Sequence, residues 1–171
     1  MPGLLEFDRN CLMVLRRSLL AVAPFEGCAL LLGDQDDSNS DQGGRIWNVR
    51  LIWPCCNVWE PGMSSLPEGS LDPNLGAELL PSRKCRFALD PREQLQAQRF
   101  AREHNWQVLG SAHSHPGGEA VPSVMDHRWA TLPSLLVIVA GSGNVRAWWM
   151  TGVQPGQQHE VAHLGQWYGH S

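Results

Sequence analysis

The sequence predicts a single α/β domain in which helices alternate with strands. Between Phe7 and Val22 the apolar residues recur at three- and four-residue steps, which is typical of an amphipathic helix. Asp90 to Glu93 then has the order of a helix start, with a capping Asp, Pro at the first helical position and Glu at the third. Short apolar runs between and after these segments predict the strands of a sheet.

The helices and strands follow from these runs and from the breakers that bound them. The helix that starts at Pro91 is expected to run to about Asn105, and a shorter helix is expected from Ser123 to about Thr131. Pro54 is expected to break the strand region in which it lies. The predicted strands are Glu26 to Gly33, one or two within Arg45 to Trp59, Phe87 to Leu89, Trp106 to His115, Leu135 to Ala140, Val145 to Met150 and His159 to Leu164.

Two segments are predicted to be loops. Asp34 to Gly44 is rich in Asp, Ser, Gln and Gly, which favours a mobile loop. Pro61 to Ser82 holds four prolines and three glycines without a sustained period, which predicts a long surface loop. Because no repeat and no linker divides the chain, residues 1–171 are interpreted as one domain. Its core would span about 8–150, with a loop insertion at 61–82 and a C-terminal extension at 151–171.

Composition argues against several classes of protein. Lys and Arg number 13 against 17 Asp and Glu, a net charge of −4, and no basic run could follow a phosphate backbone, so nucleic acid is not expected as a partner. The longest mainly apolar stretch, Leu132 to Ala140, is far shorter than the ~20 residues that cross a bilayer. Five cysteines and no signal-peptide pattern at the start predict reduced thiols in a cytoplasmic protein that does not cross a membrane.

His113 and His115 have the spacing of a metal-binding pair. They lie two apart on a predicted strand, so their side chains leave the same face and can converge on one ion. Pro116 ends the strand directly after them, which places both rings at an opening. The alternative is that they are two polar residues on a solvated face.

Ser123 and Asp126 follow at the start of the predicted short helix. Asp126 can project from the first turn and supply a carboxylate, although Ser-x-x-Asp is also close to a capping box and can be purely structural. Two imidazoles and one carboxylate make three protein ligands. Three ligands with an open water position are typical of catalytic zinc, whereas structural zinc usually has four.

Glu26 is the candidate general base. No His-Glu-x-x-His occurs in the chain, so a base for zinc chemistry has to come from outside the ligand helix. Glu26 opens an otherwise apolar strand, where a carboxylate needs a reason to be buried. The alternative is an exposed Glu at a strand end.

These segments together resemble the JAMM metalloproteases, also called MPN-plus or Mov34/Pad-one-like, and in particular their prokaryotic JAB branch. Pro24 to Gly33 is similar to the glutamate strand of that family. Gly110 to Asp126 is similar to its signature of His-x-His-Pro, six residues ending in Pro122, and Ser-x-x-Asp. The similarity spans roughly Asp8 to Met150. It departs from the family pattern in Ala29, where Gly is frequent, and in the length of the loop at 61–82.

The resemblance implies a fold and a site. The implied fold is the JAMM/MPN, cytidine-deaminase-like sandwich: a mixed, curved sheet flanked by a long N-terminal helix and a second helix, with a short helix after the metal strand. The implied cofactor is one Zn²⁺ per chain on His113, His115 and Asp126. Glu26 would act as the general base on a water, and Ser123 would help to hold the oxyanion.

The resemblance also implies a function. The implied function is that of a zinc peptidase or isopeptidase that hydrolyses an amide bond next to the C-terminal glycines of a ubiquitin-like or sulfur-carrier protein with a Gly-Gly tail. The loop at 61–82 would fold over that tail. Trp148 and Trp149 are adjacent on a strand, so one is expected to face outward and to help form a homodimer contact or a peptide groove. His127 is a candidate to orient Asp126, against the alternative of a solvated helix residue.

Two other functions are compatible with a protein of this type. One is a non-catalytic MPN scaffold that binds partners, although such scaffolds typically lack one or more of the ligands present here. The other is a DNA-associated relative of the RadC-like type, which the negative charge and the missing basic segment disfavour.

Overall fold

The computed structural model describes residues 1–8, 10–36, 45–61, 63, 82–152 and 158–165. Within these residues the elements are, in chain order, β1 (Pro2–Phe7), α1 (Cys11–Leu20), β2 (Cys28–Asp36), β3 (Arg45–Cys55), α2 (Pro91–Glu103), β4 (Gln107–His115), α3 (Val124–Trp129), β5 (Ser134–Ala140), β6 (Val145–Met150) and β7 (Gln158–Gly165).

The strands form one closed, mixed sheet in the order β1, β3, β2, β4, β5, β6, β7, and β7 pairs back with β1. Strand β1 is parallel to both its neighbours and β4 is parallel to β5, while the other pairs are antiparallel. The predicted α/β fold with a mixed, curved sheet is therefore confirmed. Its curvature is strong enough to bring the first and last strands together.

Helices α1 and α2 cover opposite faces of β2. Leu31 packs with Leu15 and Leu19 of α1, whereas Leu30 packs with Ala97 of α2. This alternation follows from the two-residue period of a strand, and it explains why β2 is apolar throughout its first half. Asp90 starts α2 as predicted, because its side chain accepts a hydrogen bond of 2.8 Å from the Arg92 N–H.

The N-terminal helix is shorter than predicted. It covers 10 residues, Cys11–Leu20, instead of Phe7 to Val22, and Phe7 ends strand β1, which the sequence analysis missed. Leu5 and Phe7 alternate inward along β1 and are buried. Phe7 also lies at helical spacing from the apolar residues of α1, so the sequence pattern is compatible with either element.

Other boundaries also differ from the prediction. Strand β3 is not broken at Pro54, which pairs with Ala29, but runs on to Cys55. Strand β2 takes in Asp34 to Asp36, and the rest of the loop predicted to end at Gly44 lies outside the described residues. So does most of the predicted loop at 61–82, of which residues 61, 63 and 82 are described. Within the described ranges, no helix is long and apolar enough to span a bilayer.

The sheet register brings the candidate residues to one end of the barrel. Strands β2 and β4 are antiparallel with Cys28 opposite His113, so the start of β2 lies beside the end of β4. Strand β5 is parallel to β4 with Ala140 opposite His115. Glu26, two residues before β2, therefore lies at the same end as both histidines, where the chain leads on to α3.

Candidate metal centre

The two histidines converge at the end of β4. Their Nε2 atoms lie 2.9 Å apart, and their ring centroids are 4.7 Å apart. His113 is fully buried under the ring of Phe87, which stacks on it at 4.4 Å and an interplanar angle of 21°. Nδ1 of His113 has no hydrogen-bond partner among the described residues, so packing against Phe87 orients this ring. The alternative of two solvated polar residues is excluded.

A main-chain carbonyl fixes the tautomer of His115. Its Nδ1 lies 2.9 Å from the carbonyl oxygen of Glu119, and a carbonyl can only accept, so Nδ1 carries the proton. In the neutral ring, Nε2 is then left with a lone pair directed at His113 and Asp126. Such a contact to the second ring nitrogen is how proteins usually orient a metal-binding histidine.

Asp126 completes the cluster from the first turn of α3. Its Oδ1 lies 3.4 Å from His113 Nε2 and its Oδ2 lies 3.7 Å from His115 Nε2. Oδ2 also accepts hydrogen bonds from the Ser123 main-chain N–H, at 2.6 Å, and from the Ser123 hydroxyl, at 2.7 Å. The capping box considered from the sequence is thus present. It holds the carboxylate so that Oδ1 faces the histidines.

The donor set fits a metal ion. One ligand atom from each of His113, His115 and Asp126 lies within 4.8 Å of the other two, and the Asp126 side chain is only 7% exposed. Two imidazole nitrogens and one carboxylate oxygen are a ligand set that zinc accepts, with a fourth position open. No other such group occurs in the part of the chain that the structure describes.

Electrostatics favour the ligand-competent form of His113 and Asp126, whereas they favour protonation of His115. Burial lowers the pKa of His113 to about 4, so this ring is neutral at physiological pH. Burial also opposes protonation of His115, but the Asp126 carboxylate and the Glu119 carbonyl outweigh it and raise the pKa of His115. Burial alone would raise the pKa of Asp126, yet His113, His115 and Ser123 hold it below its usual range.

Glu26 lies beside this cluster and is buried, with 6% of its surface exposed. This excludes the alternative of an exposed Glu at a strand end. It lines a narrow cleft together with Arg86, Ser123 and Asp126. Burial is the main cause that raises the pKa of Glu26 to about 8; the charges on His115 and Arg86 oppose this rise, and that on Asp126 adds to it.

Ser114 is a residue of the site that the sequence analysis missed. Its hydroxyl accepts a hydrogen bond of 2.9 Å from the Gly27 N–H and donates one of 3.2 Å to the carbonyl of Leu19. Its own N–H donates to the Gly27 carbonyl at 3.0 Å. These bonds join the turn that carries Glu26 to β4 and to α1. Because side chains alternate along a strand, Ser114 points to the opposite face of β4 from His113 and His115. This alternation was the sign in the sequence that Ser114 is buried, and a buried hydroxyl is expected to be hydrogen-bonded.

Two further sequence predictions concern His127 and the adjacent pair Trp148 and Trp149. His127 is buried, not solvated, but no hydrogen bond joins it to the Asp126 carboxylate in the described part of the chain. Neither tryptophan of the adjacent pair is exposed: Trp148 is buried and donates to the Ala120 carbonyl at 2.9 Å, and Trp149 packs edge-on against Trp47. The prediction of an outward-facing tryptophan in this pair is therefore wrong.

Among the described residues, an exposed tryptophan lies on α3 instead, where Trp129 is 57% exposed. It lines a groove with a volume of about 380 Å³ that reaches Asp126. One wall of this groove is the stretch from Phe87 to Leu89, and its floor includes Leu136 and Met150. A mainly apolar groove therefore adjoins the candidate metal centre at Asp126.

Fold and site together define an α/β protein with a buried two-histidine, one-aspartate cluster at one end of a closed mixed barrel. A comparison with known families leads to the same class. The profile of a family described as prokaryotic homologs of the JAB domain matches residues 8–151. The chain belongs to this family, as its motifs indicated. The wider JAB/MPN family includes both catalytic JAMM peptidases and non-catalytic members.

Three solved structures align with the chain, and the two with the higher TM-scores show the same fold. A solution structure of a Desulfitobacterium hafniense protein aligns with a TM-score of 0.69 at 21% identity, covering 95% of this chain and 92% of that one. A Salinibacter ruber protein aligns with a TM-score of 0.56 at 24% identity, covering 93% and 91%. A JAB1/MPN domain protein from Archaeoglobus fulgidus aligns with a TM-score of 0.46 at 17% identity, covering 96% and 99%. No curated protein matches the chain.

Proposed function

We propose that this protein is a zinc-dependent peptidase or isopeptidase. Its substrate would be an amide bond next to the C-terminal glycines of a ubiquitin-like or sulfur-carrier protein. The observation that carries the proposal is the juxtaposition of a buried glutamate, Glu26, with the three-ligand cluster in one narrow cleft. A buried carboxylate beside an incomplete ligand shell is the arrangement that metal-assisted hydrolysis requires.

His113, His115 and Asp126 would hold one Zn²⁺ per chain. Zinc is the expected ion because two imidazoles and one carboxylate suit it and leave a position for water. When bound, zinc would lower the pKa of a water toward ~7 and polarise the scissile carbonyl. The protein groups then have only protons to move and charge to stabilise.

Glu26 would be the group that moves the proton. Its carboxylate would accept a proton from the attacking water and deliver it to the nitrogen of the leaving amine. Burial raises its pKa to about 8 in the metal-free protein, and a cation on the neighbouring ligands would favour the carboxylate form that accepts the proton. Ser123, in the same cleft, would supply its hydroxyl to the developing oxyanion.

The shape of the cleft supports a glycine substrate. Between Glu26, Phe87, Ser123 and Asp126 the cleft narrows to a constriction of about 20 Å³, far smaller than the adjoining groove. Glycine residues at the scissile bond would fit this constriction. Beyond it the groove of about 380 Å³ can take an extended tail.

The surface around the groove supports a protein substrate. Trp129, Val124 and Leu132 on and next to α3 are more than half exposed. Large apolar side chains grouped beside a cleft are typical of a surface that binds another protein. A folded carrier resting on this patch could direct its tail toward the ligand cluster.

The first test is metal content, measured by plasma mass spectrometry on the purified protein and on Asp126→Ala. We expect about one zinc per wild-type chain and a large loss in the variant. Glu26→Gln should keep the zinc but lose about 10²–10⁴-fold in turnover of a quenched fluorescent peptide cleaved after Gly-Gly. A wild type that takes up no added zinc would contradict the proposal and favour a non-catalytic binding role. Unchanged turnover in Glu26→Gln would refute its assignment as the base.

A further inference from the structure

The side chain of Asn57 joins two stretches of chain that flank the metal centre. Its Nδ2 donates hydrogen bonds of 2.9 Å to the main-chain carbonyls of both Glu26 and Arg86. Its Oδ1 accepts hydrogen bonds of 3.1 Å from the main-chain N–H groups of Trp59 and Ala88. An amide has two N–H donors and two acceptor lone pairs, so all four are used. Asn57 belongs to no motif of the sequence.

The stretch from Arg83 to Leu89, which Asn57 holds, contacts both functional parts of the site. Its first residue accepts a hydrogen bond of 2.8 Å from the Glu26 N–H, so the Glu26 main chain is fixed on both sides. Phe87, which also belongs to this stretch, stacks on the ligand His113. The end of the stretch is held by a hydrogen bond of 3.0 Å from Val58 N–H to the Ala88 carbonyl.

The space behind Asn57 is open, so packing alone does not hold this arrangement. Asn57 and Glu26 line a cavity of about 450 Å³ whose walls include Cys28, Cys55 and Phe25. Loss of the amide would expose the Glu26 carbonyl to this cavity and leave four main-chain groups without their partner. Unpaired polar groups favour local opening and entry of water.

We propose that Asn57 is a positioning residue that sets the place of Glu26 and of the Phe87 stretch relative to the metal ligands. The inference rests on the proposed function, because it is through Glu26 that Asn57 would act on the reaction. If the inference is correct, the hydrogen-bonding amide group of Asn57, and not the volume of its side chain, positions Glu26. The substitution Asn57→Asp keeps the shape of the side chain but turns acceptor oxygens, in place of the N–H donors, toward the carbonyls of Glu26 and Arg86.

The experiment compares Asn57→Ala and Asn57→Asp with the wild type, all loaded with zinc. The matched control is Asn48→Ala, which removes a part-buried amide from β3 that bonds to Asp34 at 2.8 Å, away from the site. The first readout is hydrogen–deuterium exchange by mass spectrometry, which needs no substrate. Exchange of the peptides that cover Glu26 and residues 83–89 should accelerate about tenfold or more in both Asn57 variants, with β5 unchanged. The control should leave these peptides as in the wild type.

The second readout is the turnover of the quenched Gly-Gly peptide, beside zinc content. Both Asn57 variants should retain zinc and show an unchanged KM within about twofold, while kcat falls on the order of 10²-fold, the cost of misplacing a catalytic group by about 1 Å. A purely structural residue would lower the unfolding temperature without this loss of kcat at a temperature where the variant is folded.

Separate results would overturn the inference and the proposed function. Wild-type kcat in Asn57→Ala, full recovery in Asn57→Asp, or accelerated exchange throughout the barrel would overturn the positioning role while the proposed function stands. A zinc-loaded wild type that cleaves no Gly-Gly amide, in a peptide or in a carrier protein, would refute the proposed function and the positioning role with it.

Discussion

The hydroxyl of Ser123 has two possible partners, the carboxylate of Asp126 and the substrate. In the structure it donates to Oδ2 of Asp126 at 2.7 Å and accepts from the Asp126 N–H at 3.2 Å. A helix cap of this kind contributes about 1 kcal/mol to stability. A donor to a developing oxyanion contributes far more to the rate than to stability.

Ser123→Ala separates these roles. If the hydroxyl also stabilises the oxyanion, the variant should lose roughly 10²–10³-fold in kcat and about 1 kcal/mol of unfolding free energy. Peptide turnover and urea unfolding of the zinc-loaded proteins measure the two effects. A loss of stability with normal turnover would leave Ser123 only the capping role.

Glu26 should make the stability of the metal-free protein depend on pH. Burial raises its pKa from 4.5 to about 8 in the folded state, so between these values the native protein holds a proton that the unfolded chain has released. Folding stability therefore falls as pH rises through this window. Glu26→Gln removes this dependence on pH, because glutamine does not ionise. The variant should therefore gain stability relative to the wild type, by roughly 1.4 kcal/mol for each unit by which the pKa of Glu26 in the folded state exceeds that in the unfolded chain.

Urea unfolding at pH 5 and pH 9 with a chelator present measures this gain. The difference between Glu26→Gln and the wild type should be larger at pH 9. Parallel pH profiles of the two proteins would show that the Glu26 carboxyl is not desolvated in the folded state.

At the scale of elements, the turn that carries Glu26 packs directly on the end of α1. A Cβ at Gly27 would overlap the carbonyl oxygen and Cα of Leu19, so only glycine allows this approach. The same close approach lets the Gly27 N–H donate a hydrogen bond to the Ser114 hydroxyl. It also lets that hydroxyl donate a hydrogen bond to the Leu19 carbonyl. The position of Glu26 thus depends on the fit between one helix end and one turn.

Gly27→Ala should therefore lower the unfolding free energy by about 1–3 kcal/mol through overpacking, and reduce turnover. Gly117→Ala is the control, since an added Cβ there meets no atom within 4 Å. Thermal unfolding and peptide turnover of both variants provide the test. Equal behaviour of the two variants would mean that the turn can move away from α1 without cost.

The sequence was most informative where a local period fixes the geometry. Two histidines two residues apart on a strand must share a face, and Asp126 at the third helical position must lie near the helix start, so the cluster of these three residues could be predicted. Ser114 and Asn57 could not, because their partners Gly27 and Glu26 are 87 and 31 residues away and depend on the sheet register. Tertiary contacts of this kind leave no local pattern.

Closure of the barrel depends on β1, the strand that the sequence analysis missed. Strand β1 pairs with β3 on one side and with β7 on the other, and so closes the barrel. Six residues are too few for a decisive period, and the neighbouring helix takes up the apolar pattern. The alternation of helices and strands was therefore predictable, but the closure of the sheet was not.

Leu5 tests how far the barrel depends on this strand. It is fully buried in the main core, so Leu5→Ala should cost about 2–5 kcal/mol of unfolding free energy. Met13→Ala is the control, because Met13 is an apolar residue on α1 with 40% exposure. Chemical denaturation of both variants measures the difference. A cost for Leu5→Ala below that of the control would mean that β1 adds little to the fold.

A closed barrel also limits how a partner can be recognised. Each of its seven strands already has a neighbour on both sides, so the described sheet offers no edge to which an incoming peptide could add as a further strand. Discrimination between partners would then fall to the connecting segments around the cleft. Because those segments lie outside the strand ladder, their sequences can change between relatives, or be exchanged by design, while the two histidines on β4 keep their register.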